Sequence, residues 1–144
     1  MIPCAFIGDS TAYGPALIYN RGAAERCLIV AREGASPQHI ARSAIPAEAI
    51  GAAVIGTGSN DPASPSLASN LYQTRRRIAA RRVLWLLPYD RRAAYTVRSV
   101  AVAFGDYVLD LSELPTRDGV HPLTYAGIAT ALRRWIAADP ARPL

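Results

Sequence analysis

The chain has 144 residues, of which 51% are hydrophobic and 19% charged, a composition that excludes a disordered polymer and is long enough to bury one core. All 16 basic side chains are arginine and the formal net charge is +5, carried by guanidinium groups that no ordinary pH neutralises. One domain spanning residues 1–144 is expected.

The first apolar run, Pro3–Ile7, follows Met1-Ile2 with no basic segment ahead of it, so the N-terminus reads as a strand and not as a signal peptide. Further short runs at Cys27–Ala31, Ala52–Ile55, Val83–Leu87 and Tyr107–Leu111 are strand-sized and too short to cross a membrane. The expectation is a soluble chain with the cytoplasm as its default location. Cys4 and Cys27 sit within two of these apolar runs, where a thiol normally behaves as a small buried hydrophobe, and two cysteines make no disulfide framework. No Cys/His cluster has metal-ligand spacing, so no metal is implied.

Between the runs lie segments of helical period. Ser36-Pro37 offers an N-cap and a first-turn proline for a helix to about Ala44. Residues 65–82 place Leu67, Leu71 and Ile78 on one face with Arg75, Arg76 and Arg77 outside. Ala93, Val97, Val100, Ala101 and Phe104 form the next stripe, and Ile128, Leu132, Trp135 and Ile136 form the last, over Pro122–Ala138. Strands alternating with helices point to an α/β fold. Right-handed crossovers make this a three-layer α/β/α sandwich around a five-stranded parallel sheet, flavodoxin-like, with order 2-1-3-4-5.

Ligands in such sheets bind beyond the carboxyl ends of the strands, and the unusual residues fall there. Ser10, in Gly8-Asp9-Ser10 after the first strand, is a nucleophile candidate whose backbone N–H can face an oxyanion. Alone, the tripeptide is equally the N-cap of a helix. Asp118-Gly119-Val120-His121-Pro122 precedes the last helix, and a separation of three lets one turn bring carboxylate and imidazole together. Asp118 could hold one ring nitrogen of His121 while the other faces Ser10, as a general base requires. Gly34 after the second strand, and Asn60 in Gly58-Ser59-Asn60-Asp61 after the third, join the Ser10 N–H as oxyanion donors. Asp9 and Asp61 read as structural turn carboxylates. Tyr13, Tyr89 and Leu123 fall in segments bordering the cleft, and His39, the only other histidine, sits on a helix and is left out of the site.

Taken together and in this order, Gly8-Asp9-Ser10, Gly34-Ala35-Ser36, Gly58-Ser59-Asn60-Asp61 and Asp118 with His121 make the chain resemble the SGNH (GDSL-like) hydrolases over essentially its whole length. Thr11 stands where the name-giving motif has leucine. The resemblance implies a serine esterase working through an acyl-enzyme on Ser10, without cofactor, with His121 as base oriented by Asp118. Short acyl groups such as acetyl, with carbohydrate among the alcohols, suit a chain too short for lids or acyl tunnels. The same acyl-enzyme would serve an acyltransferase. A third reading, from the Arg75–Arg77, Arg81–Arg82 and Arg91–Arg92 clusters, is a non-catalytic nucleic-acid-binding module, ranked last because arginines at helix ends also satisfy terminal carbonyls. The expected partner is a small-molecule or carbohydrate ester. Oligomeric state is not legible.

Overall fold

The computed structural model describes residues 1–116, 118, 122 and 124–138. The elements run β1 (Ile2–Gly8), α1 (Ser10–Arg21), β2 (Leu28–Ala31), α2 (Pro37–Ala41), β3 (Ile50–Gly56), α3 (Leu67–Arg76), β4 (Ala80–Leu87), α4 (Arg91–Phe104), β5 (Tyr107–Asp110) and α5 (Ala126–Ala137). The five strands pair in parallel in the order β2-β1-β3-β4-β5, the expected three-layer α/β/α sandwich.

Alternation along the strands builds two cores at once. Cys4 and Phe6 of β1, Ala52 and Val54 of β3, and Leu84 and Leu86 of β4 pack under α1 and α5 against Tyr19, Ile128, Leu132 and Ile136. Their neighbours Ala5, Ile7, Ala53, Ile55, Val83, Trp85 and Leu87 face Ile40, Leu71, Val97 and Val100 of α2, α3 and α4. Strands covered on both faces must be continuously apolar, and each Ile or Leu so buried contributes about 2 kcal/mol relative to exposure. The distribution of helices follows from right-handed crossovers. The chain moves from β1 one way to β2, placing α1 on one face, then back past β1 to β3, β4 and β5, placing α2, α3 and α4 on the other. The reversal makes a switch point between β1 and β3.

Three helix boundaries differ from the sequence expectation. α3 stops at Arg76, not Arg82, because the chain must turn to enter β4 at Ala80. α2 ends at Ala41, not Ala44. The last helix begins at Ala126 because Pro122 is held in an isolated bridge to Thr116. α1, of which only the N-terminus was legible, continues through an internal Pro15 to Arg21.

The cysteines are not separate hydrophobes. Cys4 and Cys27 form a disulfide with Cα atoms 4.6 Å apart. The register explains it: Ala5 pairs with Leu28, so Cys4 lies opposite Cys27 on the adjoining chain, both on the α1 face. The Asn20 side chain brackets the same turn, donating from Nδ2 to the Cys27 carbonyl at 3.0 Å and accepting from its N–H at 2.8 Å. Closing a loop of this length restricts the unfolded chain by about 3 kcal/mol in the entropic account. Disulfides persist in oxidising surroundings, so the default cytoplasmic placement loses its footing. Among the described residues no helix is long and apolar enough to cross a membrane.

The Arg75–Arg77 run does not lie outside as its spacing suggested. Arg75 donates from Nε and Nη2 to the two oxygens of Asp106 at 2.7 and 3.0 Å, and its guanidinium stacks 4.8 Å from the Phe104 ring. Asp106 also accepts from Trp85 Nε1 at 2.9 Å. Arg77 donates to the Ala41 carbonyl at 2.6 Å, tying α3 to the end of α2. Of the three, Arg76 alone is exposed. Removing one partner of a buried ion pair leaves the other charge uncompensated, at a cost of about 3 kcal/mol or more. Arg75→Met should therefore lower stability by that order in urea unfolding, whereas Arg76→Met should stay within about 1 kcal/mol. Equal effects would contradict this account of the run.

Candidate active site

Gly8 ends β1 at φ +140°, and a Cβ there would overlap the Gly56 carbonyl at the end of β3. Only glycine permits this approach, and it lets the Asp9 N–H donate to Gly56 O at 2.8 Å. Asp9, fully buried, caps α1: Oδ1 accepts from the Thr11 N–H at 2.8 Å and from the Thr11 hydroxyl at 2.6 Å. Its role is that of the turn carboxylate expected from sequence. Ser10 is then the first residue of α1, 8% exposed, at the positive end of the helix and beside the β1/β3 switch point. A backbone N–H at this position has no acceptor within its own helix.

The flanking loops come from the two strands beside β1. Gly34 lies in the β2–α2 loop at φ +77° with open space where a Cβ would project. Asn60 lies in the β3–α3 loop, next to Asp61 at φ 54°. Asn60 Nδ2 donates to the carbonyl of Ala35 at 3.1 Å, so one amide hydrogen joins the two loops across the end of β1 and the second remains for another acceptor. The sheet order thus gathers Ser10, Gly34 and Asn60, 50 residues apart in sequence, at one edge.

The final segment reaches the same edge through α5. Tyr125, just ahead of α5, lies against α1 so closely that a Cβ on Gly14 would overlap its ring, and the Thr116–Pro122 bridge closes the preceding loop. Asp118 is exposed within that loop. Tyr89, after β4, is half-buried, with its hydroxyl buried and without a hydrogen-bond partner among the described residues. Its phenol is pushed above its ordinary pKa by burial first, and then by Tyr125, Asp110 and Asp118. His121 and Leu123 lie outside the described residues.

Asp110, at the end of β5, fixes where this segment departs. It accepts from Arg91 Nη1 and Nη2 at 2.9 and 3.0 Å and from the Ser112 N–H at 3.0 Å. The Arg91 hydrogen bond holds its carboxyl down at about 2, against a smaller opposing effect of burial, with the Ser112 bonds adding to the lowering. The sequence reading missed this anchor, although Asp110 three residues beyond an apolar strand start is an ordinary capping signal.

No protein-family model and no curated protein sequence matches the chain. Solved structures do. A Bacteroides ovatus protein described as a GDSL-like lipase superposes with TM-score 0.66 at 12% identity, covering 95% of this chain and 98% of the other. The native aryl esterase of M. smegmatis gives 0.64 at 13% identity, covering 96% and 100%. The C-terminal catalytic domain of the Streptococcus pneumoniae peptidoglycan O-acetyltransferase OatA gives 0.59 at 16% identity, covering 96% and 92%. The chain has the SGNH/GDSL hydrolase fold.

The Asp110 anchor yields a pH prediction. A carboxyl whose folded pKa lies below its unfolded value stabilises the fold above about pH 4 and loses that contribution as pH falls toward its folded value of about 2. Arg91 is about half exposed, so the contribution is modest. Asp110→Asn should flatten the fall in melting temperature between roughly pH 4 and 2 relative to wild type. Parallel acid profiles for the two proteins would remove Asp110 from the account.

Proposed function

We propose that the chain is a serine ester hydrolase acting on short-chain, acetyl-type carboxylic esters, including those of carbohydrates. The observation that carries this reading is the hydrogen bond from Asn60 to the Ala35 carbonyl, which ties together the loops after β2 and β3, the two strands that flank the β1 end where Ser10 stands. In this mechanism Ser10 Oγ attacks the ester carbonyl while His121 takes its proton, and Asp118 holds the imidazole in the required tautomer. The carbonyl oxygen, now negative, is met by the Ser10 and Gly34 N–H groups and the second Asn60 amide hydrogen. Collapse expels the alcohol, protonated by His121, and water repeats the sequence on the acyl-serine. The lipase and esterase neighbours support hydrolysis.

The neighbouring O-acetyltransferase domain favours a second resolution of the same acyl-enzyme, in which an acceptor alcohol replaces water. Nucleic-acid binding draws less support. Arg75 and Arg77, and likewise Arg82 (stacked 4.3 Å from the Trp135 ring) and Arg91, are engaged within the fold.

Ser10→Ala should reduce turnover of p-nitrophenyl acetate by more than about a thousandfold while leaving the melting temperature near wild type. A variant keeping over a tenth of the activity would discard Ser10 as nucleophile. Asn60→Ala should lower kcat by about a hundredfold with KM little changed, because an oxyanion donor acts mainly in the transition state. A change confined to KM would make Asn60 a ground-state contact instead.

A further inference from the structure

Beside the Ser10 edge lies a cavity of about 240 Å³ lined by Gly8, Ile29, Val30, Ala31, Arg32, His39, Ile40 and Ser43. Its mouth is built from the strand ends that carry the candidate chemistry. Gly8 stands two residues before Ser10, Arg32 stands two before Gly34, and the Arg32 N–H donates to the Gly8 carbonyl at 3.0 Å. Its lining is mixed: Ile29, Val30, Ala31 and Ile40 contribute apolar surface, and the polar side chains are a guanidinium, an imidazole and the Ser43 hydroxyl, which donates to the Ile40 carbonyl at 2.7 Å. Among the described residues no carboxylate lines it.

Arg32 is exposed and differs from the arginines that brace the fold, a state it shares with other surface arginines such as Arg21 and Arg98. Arg75, Arg77, Arg82, Arg91 and Arg133 each donate to a carboxylate or a backbone carbonyl, whereas the Arg32 side chain makes no hydrogen bond or ion pair among the described residues. A planar fork of donors in the lining of a small cavity that also offers apolar surface suits an anion carried on a few methylenes.

We propose that this cavity is a substrate subsite for a carboxylate-bearing ester, with Arg32 binding the carboxylate, His39 assisting, and the apolar part of the lining receiving the linker. This rests on the esterase reading of Ser10. The carboxylate can belong to the acyl half or to the alcohol half, and substrates separate the two.

The experiment compares kcat/KM for mono-4-nitrophenyl glutarate against 4-nitrophenyl pentanoate, and for 4-acetoxybenzoate against phenyl acetate, with uncatalysed rates subtracted. One pair should show a preference of about tenfold or more for the anion, carried by KM. The glutarate pair identifies the acyl half and the acetoxybenzoate pair the alcohol half. Arg32→Gln should bring that ratio close to one, Arg32→Lys should keep part of it, and His39→Gln should reduce it less. Because Arg32 is exposed, raised salt should shrink the preference in wild type. A ratio near one for both pairs in wild type, or a ratio that survives Arg32→Gln, overturns the subsite while leaving the esterase reading standing. Absence of turnover on every ester would instead sink the esterase reading. The cavity is then decided by titrating glutarate into the Ser10→Ala protein and following the arginine Nε–H resonances. Movement of the Arg32 signal supports the subsite, and its constancy overturns it.

Discussion

The Asp9 peptide is the pivot of the functional edge. Its N–H closes on the Gly56 carbonyl, its carboxylate caps α1 through Thr11, and both are possible only because Gly8 lets β1 come within bonding distance of β3 at their ends. The next residue is Ser10. Its position is thus set by a buried carboxylate and by the sheet register, two of the stiffest features a protein offers. The flanking loops inherit their places from the same register, since β2 and β3 are the two neighbours of β1. In the proposed mechanism a nucleophile held in this way would need little local reorganisation to meet a carbonyl, which is the preorganisation that catalysis of this type requires.

The sheet was legible in the sequence because strands buried on both faces must be continuously apolar, and its order followed from the handedness of crossovers. Ser10, Gly34 and Asn60 were singled out by their order on successive strand ends, and the structure does set them after β1, β2 and β3. What escaped were features made by distance. The Cys4–Cys27 bond depends on a register between strands that no local pattern encodes. The fate of Arg75 depends on Asp106, 31 residues away, so spacing alone put it on the solvent side. The body of α1 was obscured by Pro15, which interrupts a helical pattern even where the surrounding sheet overrides the interruption. His121 lies outside the described residues, so its part in the site stays a reading of sequence.

The arginines show how one residue type can serve two ends in one molecule. Several act as structural struts: Arg75 bridges α3 to Asp106, Arg77 bridges α3 to α2, Arg91 bridges α4 to β5, and Arg133 reaches the Ile18 carbonyl of α1. A delocalised cation that stays charged is well suited to span elements in this way. A chain with no lysine carries its positive charge in a form that binds planar anions and backbone oxygens with direction, and a guanidinium left without such a partner keeps that capacity for something outside the fold.

The covalent link between Cys4 and Cys27 encloses all of α1, Ser10 included, in a ring of the chain. The Gly22–Arg26 connection on that ring is largely exposed, and it is where a protease would most readily cut. Such a cut would open the ring without parting it: the strand and helix ahead of the nick would stay bonded to β2 through sulfur, and the Asn20 bracket would hold the severed end beside Cys27. The segment presenting Ser10 is therefore insured against the loss of its own loop.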